Sequence, residues 1–132
     1  MIQIVKDADT RPWFFLQTAH TTYGMRVMET GHLEHLYYGE RITVDSQDPA
    51  SCAPLVIQRA FAPGNTCTYD REHPQISMED VCLEVGTLGK GDIREPFLEV
   101  RFADGSVTSD FTFDSYKIIT LKEREQCLQD SG

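Results

Sequence analysis

The chain has 132 residues, of which 40% are hydrophobic and 25% charged, and its formal net charge is -9. This length is typical of one domain that can bury a core, while the acidic charge disfavours binding to nucleic acid or to an anionic membrane. The first residues lack the basic start and apolar middle of a signal peptide, and no apolar run approaches the length of a bilayer span. We therefore expect a cytoplasmic protein without a membrane partner.

The first part of the chain shows the two-residue periodicity of β-strands. Strands are predicted over residues 2–5, 12–17, 22–29 and 31–39. Gly24 lies inside the third of these, where a glycine indicates a β-bulge or a close backbone approach. In the fourth, alternation predicts two faces, made by Leu33, His35 and Tyr37 and by Glu34, Leu36 and Tyr38.

The middle of the chain is less regular. Residues 41–54 are polar and predict a loop, and residues 55–61 predict a strand that ends at the run APGN. Residues 66–75 have little apolar periodicity, a pattern typical of a functional or partner-facing loop. The next run is ambiguous between a short helix and a strand, and a strand is favoured over residues 81–85.

The most regular pattern surrounds Asp104-Gly105, a favoured centre for a two-residue primed turn because both positions need positive φ. Pairing Ala103 with Ser106 in this β-hairpin places Phe102 and most other apolar side chains on one face, which another layer must cover. The last strand is predicted to extend over residues 115–121, followed by a charged tail over residues 122–132.

The order of these elements indicates the fold class. Strands and helices do not alternate, which disfavours a parallel α/β sheet, whereas many short strands predict an all-β protein. We expect an antiparallel β-sandwich that forms one domain over residues 1–132.

Residue types suited to metal binding are present but poorly placed. His32 and His35 have H-x-x-H spacing, yet on a strand an odd separation puts the two rings on opposite faces. The cysteines at positions 52, 67, 82 and 127 form no C-x-x-C pair, so reduced thiols are predicted rather than a zinc site. Neither a metal nor a cofactor is expected.

Two pairs of carboxylates have the residue types for glycoside hydrolysis: Asp92 with Glu95, and Asp70 with Glu72. A retaining pair must face each other across a cleft at roughly 5 Å, and the sequence does not distinguish these residues from a solvated acidic surface. No serine, cysteine or histidine has the local motif of a nucleophile, and the glycines form no phosphate loop. By chemistry alone, the chain is predicted to bind or to position.

Aromatic side chains offer a second route to function, because sugar-binding surfaces often use ring faces. Trp13 and the pair Tyr37 and Tyr38 are candidates for such a surface. On strands most of these rings pack in the core instead. Both interpretations stay open for these three residues.

Three stretches of the chain, in order, resemble one family: GHLEHLYYG over residues 31–39, RAFAPGN over 59–65 and GKGDIREPFLEVRFADGS over 89–106. Together they resemble the N-terminal domain of α-galactosidases of glycoside hydrolase family 36, over about residues 14–119. The resemblance implies an N-terminal β-supersandwich, a barrel with two catalytic aspartates, and retaining hydrolysis of terminal α-linked galactose from melibiose- and raffinose-type sugars. A barrel needs roughly 250 residues, so no residue of this chain is expected to be catalytic.

The resemblance also implies a homo-oligomer in which a loop of this domain reaches the active site of a neighbouring subunit. The matching substrate-binding positions are Gln58, Arg59 and Arg71, although several members carry an acid where Gln58 stands. Within the run GDIREP, local pairing of Asp92 with Arg94 is favoured over substrate contact. The alternative is a free-standing carbohydrate-binding or protein-interaction module. A truncated sandwich would expose an apolar face, so self-association is predicted.

Overall fold

The computed structural model describes residues 1–56, 69–73, 76, 81–87 and 98–119. In this part of the chain, four antiparallel strands form one sheet in the order β1-β2-β3-β4. The strands are β1 (Ile2–Lys6), β2 (Pro12–Gln17), β3 (Thr21–Val27) and β4 (Leu33–Glu40). The predicted all-β, antiparallel class is confirmed, and each strand lies within two residues of its predicted bounds.

Short-range hydrogen bonds close the three turns of this meander. Asp7 Oδ1 accepts the backbone N–H of Arg11 at 2.9 Å, and Thr18 Oγ1 accepts that of Thr21 at 3.0 Å. The turn between β3 and β4 contains Gly31 at φ 87°, a conformation that glycine adopts without steric cost. Each pair of neighbouring strands is therefore joined by a local turn.

One face of the sheet packs against the segment that follows β4. The buried core consists of Val5, Trp13, Phe15, Val44 and Cys52. Two side-chain amides bind this segment to the sheet, since Gln17 Nε2 donates to the Ile42 carbonyl at 3.1 Å and Gln3 Nε2 to the Val44 carbonyl at 2.6 Å. These bonds satisfy polar groups that the core would otherwise leave unpaired.

The predicted loop over residues 41–54 ends in a 3₁₀ helix (Pro49–Leu55). Asp48 starts it by accepting the N–H of Ala50 at 3.2 Å, and proline suits the first helical position because its N–H has no helical partner. Leu55, predicted to open a strand, ends this helix. The rest of that predicted strand, residues 57–61, lies outside the described residues.

A β-bulge next to Gly24 changes which side chains of β4 share a face. The register of β3 against β4 shifts at this glycine, where a Cβ would lie 3.1 Å from Phe15 Cε1. His35 and Tyr38 consequently lie on the same face, with ring centroids 5.0 Å and 5.9 Å from that of Tyr23. The predicted alternation, which placed these two residues on opposite faces, is wrong because the bulge adds one residue to β4.

The predicted turn at Asp104-Gly105 is present, but its type differs from the expectation. The N–H of Phe102 donates to the Ser106 carbonyl at 2.9 Å, and that of Gly105 to the Phe102 carbonyl at 3.0 Å. Only the glycine has positive φ, and Asp104 Oδ1 accepts the Ser106 N–H at 2.9 Å. The loop therefore has three residues closed by a left-handed glycine, and the expected pairing of Ala103 with Ser106 is wrong.

Residues 81–87 meet the sheet through an isolated antiparallel bridge between Glu34 and Leu83, and a parallel bridge between Thr87 and Leu98 joins them to residues 98–119. Regular strands were predicted here, but within the described ranges these two segments form bridges and turns only. Phe14, on the second face of the sheet, is covered by Phe113 and Tyr116, whose ring centroids lie 6.0 Å and 5.0 Å away.

The predicted tail over 122–132 lies outside the described residues. Among the residues that are described, no helix is suited by length and composition to cross a bilayer.

Candidate functional site

The first polar cluster, here called the Asp110 cluster, consists of Thr30, His32, Tyr69 and Asp110. His32 Nε2 lies 2.5 Å from Asp110 Oδ1, and the Tyr69 hydroxyl donates to Asp110 Oδ2 at 2.6 Å. On the other side of the imidazole, Nδ1 lies 2.7 Å from Thr30 Oγ1. In a neutral imidazole whose Nε2 donates to the carboxylate, Nδ1 accepts the threonine hydroxyl.

The interior of the Asp110 cluster is shielded from water. His32 is 2% exposed, and the ring of Tyr69 meets the imidazole edge to face, with centroids 4.9 Å apart. Burial and the hydrogen bond to Asp110 raise the pKa of Tyr69 to about 12, because both disfavour the phenolate. The cluster joins three segments that are distant in sequence.

Residues 69–73 form a loop that a backbone hydrogen bond ties to Ile76. The N–H of Tyr69 donates to the Ile76 carbonyl at 2.7 Å, and both the N–H and Nδ1 of His73 lie 2.8 Å from Asp70 Oδ1. Desolvation raises the pKa of Asp70, but the hydrogen bonds from His73 outweigh it and hold that pKa below its ordinary value. Arg71 is exposed between these bonded residues.

The second polar cluster, here called the Glu84 cluster, consists of Tyr23, His35 and Glu84. The Tyr23 hydroxyl lies 2.7 Å and 2.6 Å from the two carboxylate oxygens of Glu84, and His35 Nδ1 lies 3.2 Å from Oε1. Burial and the hydrogen bond from its own hydroxyl to Glu84 raise the pKa of Tyr23 to about 12. The cluster ties β3 and β4 to residues 81–87.

Of the predicted substrate-binding residues, the structure describes Arg71, on the exposed loop. Gln58 and Arg59 lie outside the described residues, as do Asp92 and Glu95, so the structure does not test those predictions. Both members of the other candidate acid pair are described: Asp70 is bonded to His73 and Glu72 is exposed.

The two histidines of the H-x-x-H run bind different carboxylates, His32 that of Asp110 and His35 that of Glu84. Cys52 and Cys82 carry free thiols, and burial raises the pKa of the Cys52 thiol. In residues 1–56 and the later described segments, no group of three His, Cys, Asp or Glu side chains is placed to hold a metal ion.

The aromatic candidates separate into core and surface. Trp13 is 7% exposed, and the Arg26 guanidinium lies 5.4 Å from its ring centroid, so for this residue the core interpretation is correct. Tyr37 donates its hydroxyl to the Glu40 carbonyl at 2.8 Å. Tyr38, in contrast, is 70% exposed and presents an open ring face.

Sequence reasoning missed Tyr69, Glu84 and Asp110 as members of polar clusters. His32 and Asp110 are separated by 78 positions, and Tyr23 and Glu84 by 61. No local motif links residues so far apart, and each carboxylate lies in a run whose alternation predicts only strand. The sequence signal that was weighed at His32, its H-x-x-H spacing with His35, concerned a metal site and did not indicate an acid partner.

The fold defines the chain as an all-β domain built on one antiparallel sheet. The glycosyl hydrolase family 36 N-terminal domain profile matches residues 31–129, and the chain belongs to this family. The recognition from three sequence stretches is thereby confirmed.

Individual relatives and a solved structure support membership of the same family. The chain is 35% identical over 116 residues to a bifunctional α-galactosidase/sucrose kinase of Mediterraneibacter gnavus, covering 87% of this chain and 12% of the relative. It is 29% identical over 111 residues to an α-galactosidase of Geobacillus stearothermophilus, covering 84% of this chain and 14% of the relative. The crystal structure of the α-galactosidase from Lactobacillus brevis superposes with a TM-score of 0.69 at 33% identity, over 86% of this chain and 14% of that one.

Proposed function

We propose that this chain is the non-catalytic N-terminal part of an α-galactosidase that releases terminal α-linked galactose from melibiose- and raffinose-type sugars with retention. The observation that carries this proposal is the family profile over residues 31–129. The curated relatives are α-galactosidases of which the chain spans 12% and 14% of the length. A cytoplasmic location stays a prediction.

Catalysis is proposed to reside in a barrel beyond this domain, because such a barrel needs roughly 250 residues. The test is to assay the purified 132-residue chain and the longest product of the same gene with p-nitrophenyl α-galactoside. The longer product is expected to release nitrophenol and the shorter chain to release none. Cleavage by the 132-residue chain would contradict the proposal.

Arg71 is proposed to contact the galactoside in the active site of a neighbouring subunit, together with Gln58 and Arg59. The support is its exposure on a compact loop of a domain whose relatives are galactosidases. A guanidinium offers several donors in a fixed geometry and suits sugar hydroxyl groups. Arg71→Ala in the full-length enzyme should raise the KM for melibiose several-fold with little change in kcat, and unchanged kinetics would remove this role.

A homo-oligomer is proposed because apolar side chains are exposed on the second part of the chain. Phe102 and Phe111 are each 47% exposed and Ile118 50%, and apolar groups presented together favour association. Sedimentation of the 132-residue chain should show concentration-dependent self-association, which Phe102→Ser and Phe111→Ser together should weaken. A clean monomer at all concentrations would contradict it.

A second candidate function, a carbohydrate-binding surface, is favoured by one observation, the 70% exposure of Tyr38. An open aromatic ring can stack on the apolar face of a sugar. Electrophoresis through gels with and without galactomannan tests this, because binding slows migration. Tyr38→Ala should abolish any retardation that the parent chain shows, whereas Tyr37→Ala on the same strand should keep it.

A further inference from the structure

We infer that His32, Asp110 and Tyr69 are positioning residues, which fix the loop over residues 69–73 so that Arg71 is held in one orientation. The effect of this orientation on catalysis rests on the proposed role of Arg71 in binding the galactoside. The fixing of the loop does not, and it can be measured on its own.

The Asp110 cluster connects the sheet to the loop that carries Arg71, and it is attached to the sheet at the turn that precedes β4. The turn that precedes β4 is closed by the N–H of Met28, which donates to the His32 carbonyl at 2.8 Å, and by the N–H of Phe113, which donates to the Gly31 carbonyl at 2.7 Å. The second bond fixes the segment that carries Asp110 against this turn. His32 and Asp110 therefore meet as parts of one frame, and the imidazole is held from both sides because Thr30 bonds its other nitrogen.

The other end of this connection is the loop over residues 69–73. Its own bonds, from Tyr69 to Ile76 and from His73 to Asp70, make it compact but do not by themselves orient it on the domain. Orientation requires a bond to the frame, and the Tyr69 hydroxyl supplies one by donating to Asp110 at 2.6 Å. The edge-to-face contact with His32 adds a second restraint on the same ring.

Arg71 follows Tyr69 by two positions, so a change in where the tyrosine ring sits changes where the guanidinium points. A flexible arginine loses rotamer and loop freedom when it binds, and a loop that is already ordered reduces this loss. Misplacement of a binding group also weakens the positioning of the substrate. The Asp110 cluster should therefore lower the KM without taking part in the chemistry.

The decisive variant is Tyr69→Phe, which keeps the ring and removes the hydroxyl that binds Asp110. Tyr23→Phe is the matched control, because it removes the equivalent phenol-to-carboxylate bond in the Glu84 cluster, whose members Tyr23, His35 and Glu84 lie outside the loop. Loop order is measured as the rate at which trypsin cleaves after Arg71. Catalysis is measured in the full-length enzyme as KM and kcat for melibiose.

We expect Tyr69→Phe to accelerate cleavage after Arg71 and to raise the KM by about threefold to tenfold, the equivalent of one typical net hydrogen bond, with kcat changed less than twofold. In an Arg71→Ala background, the same substitution should leave the KM unchanged. Tyr23→Phe should alter neither the cleavage after Arg71 nor the KM.

The outcomes separate the inference from the function it rests on. If Arg71→Ala raises the KM but Tyr69→Phe does not, positioning by the Asp110 cluster is wrong and the binding role of Arg71 stands. If Tyr69→Phe accelerates cleavage while Arg71→Ala leaves the KM unchanged, the loop is fixed as inferred and the binding role fails. Cleavage and KM both unaffected by Tyr69→Phe would overturn the inference outright.

Discussion

The sheet and the segments that follow it differ in where their apolar side chains go. In the sheet, β2 places Phe15 at 0% and Trp13 at 7% exposure, because each strand pairs with its neighbour through a short turn and residues 42–56 cover one face. In residues 98–119, Phe102 and Phe111 are 47% exposed although their alternation is as regular. Periodicity alone therefore does not bury a face, which also needs a covering layer.

Two polar clusters join the sheet to the segments that follow it, residues 81–87 and 98–119, which are here called the second region. The Asp110 cluster connects the turn before β4 to residues 106–113, and the Glu84 cluster connects β3 and β4 to residues 81–87. Attachment of the second region therefore uses part-buried hydrogen bonds to carboxylates as well as the packing of Phe113 and Tyr116 on Phe14. Such bonds are directional, so they fix orientation, but they are sensitive to protonation.

The largest expected effect tests whether a buried aromatic ring of the sheet contributes more to stability than an exposed ring of the second region. Phe15→Ala removes a ring that is fully buried in the sheet core and should lower the free energy of unfolding by about 3–5 kcal/mol. Phe111→Ala, the control, removes a ring that is 47% exposed and should cost less than about 1 kcal/mol. Urea titrations followed by the fluorescence of Trp13 measure both, and similar costs would contradict the distinction.

The next effect concerns an ion pair inside the sheet. Arg26 Nε lies 2.7 Å from Glu34 Oε2, and the acid is 7% exposed. Arg26→Ala leaves this carboxylate unpaired and removes the cation above Trp13, so it should destabilise by about 1–3 kcal/mol. Arg11→Ala, which breaks surface pairs with Asp7 and Asp9, should cost about 0–1 kcal/mol in the same urea titration. Equal losses would show that burial does not strengthen the pair.

The sequence was sufficient to locate the four strands of the sheet, because local turns and alternation set them. The same reasoning failed where one residue changed the register. The bulge next to Gly24 moved Tyr38 to the face of His35, and the side chain of Asp104 selected a three-residue turn. In both places one local contact or hydrogen bond determines the register, which the alternation of apolar and polar residues alone does not specify.

The polar clusters were not predictable from the sequence for a different reason. Their members come from separate segments and meet only when the second region docks on the sheet. Arg71 was reached through family resemblance, whereas the Tyr69 to Asp110 bond that accompanies it depends on three-dimensional proximity alone. Local patterns specify strands, and long-range polar partners require the fold.

A smaller effect tests the turn that begins the exposed region. Gly105 has φ +87° with open space where a Cβ would stand, so the cost of Gly105→Ala is conformational rather than steric and should be about 1 kcal/mol. Gly24→Ala should cost more, because its Cβ would lie 3.1 Å from a ring atom of the buried Phe15. The two free energies of unfolding, measured in urea, rank backbone strain against core crowding. A larger loss at Gly105 would reverse that ranking.

The smallest effect is expected from pH, and it acts on the bonds between the two regions. The pKa values of Tyr23 and Tyr69 are raised to about 12, above the ordinary value of about 10 for an unfolded tyrosine. A raised pKa in the folded state means that the stabilisation is complete below pH 10 and is lost as the pH rises from 10 to 12.

Between those values, the 132-residue chain should bind the dye anilinonaphthalene sulfonate as the second region detaches, before the far-UV circular dichroism of the sheet is lost. The variant with both Tyr23→Phe and Tyr69→Phe should lose most of this pH dependence, because it has no phenol to ionise in either cluster. Absorbance at 295 nm should show two tyrosines fewer titrating near pH 12 in this variant. If the parent and the variant respond alike, the attachment of the second region does not depend on the neutral phenols.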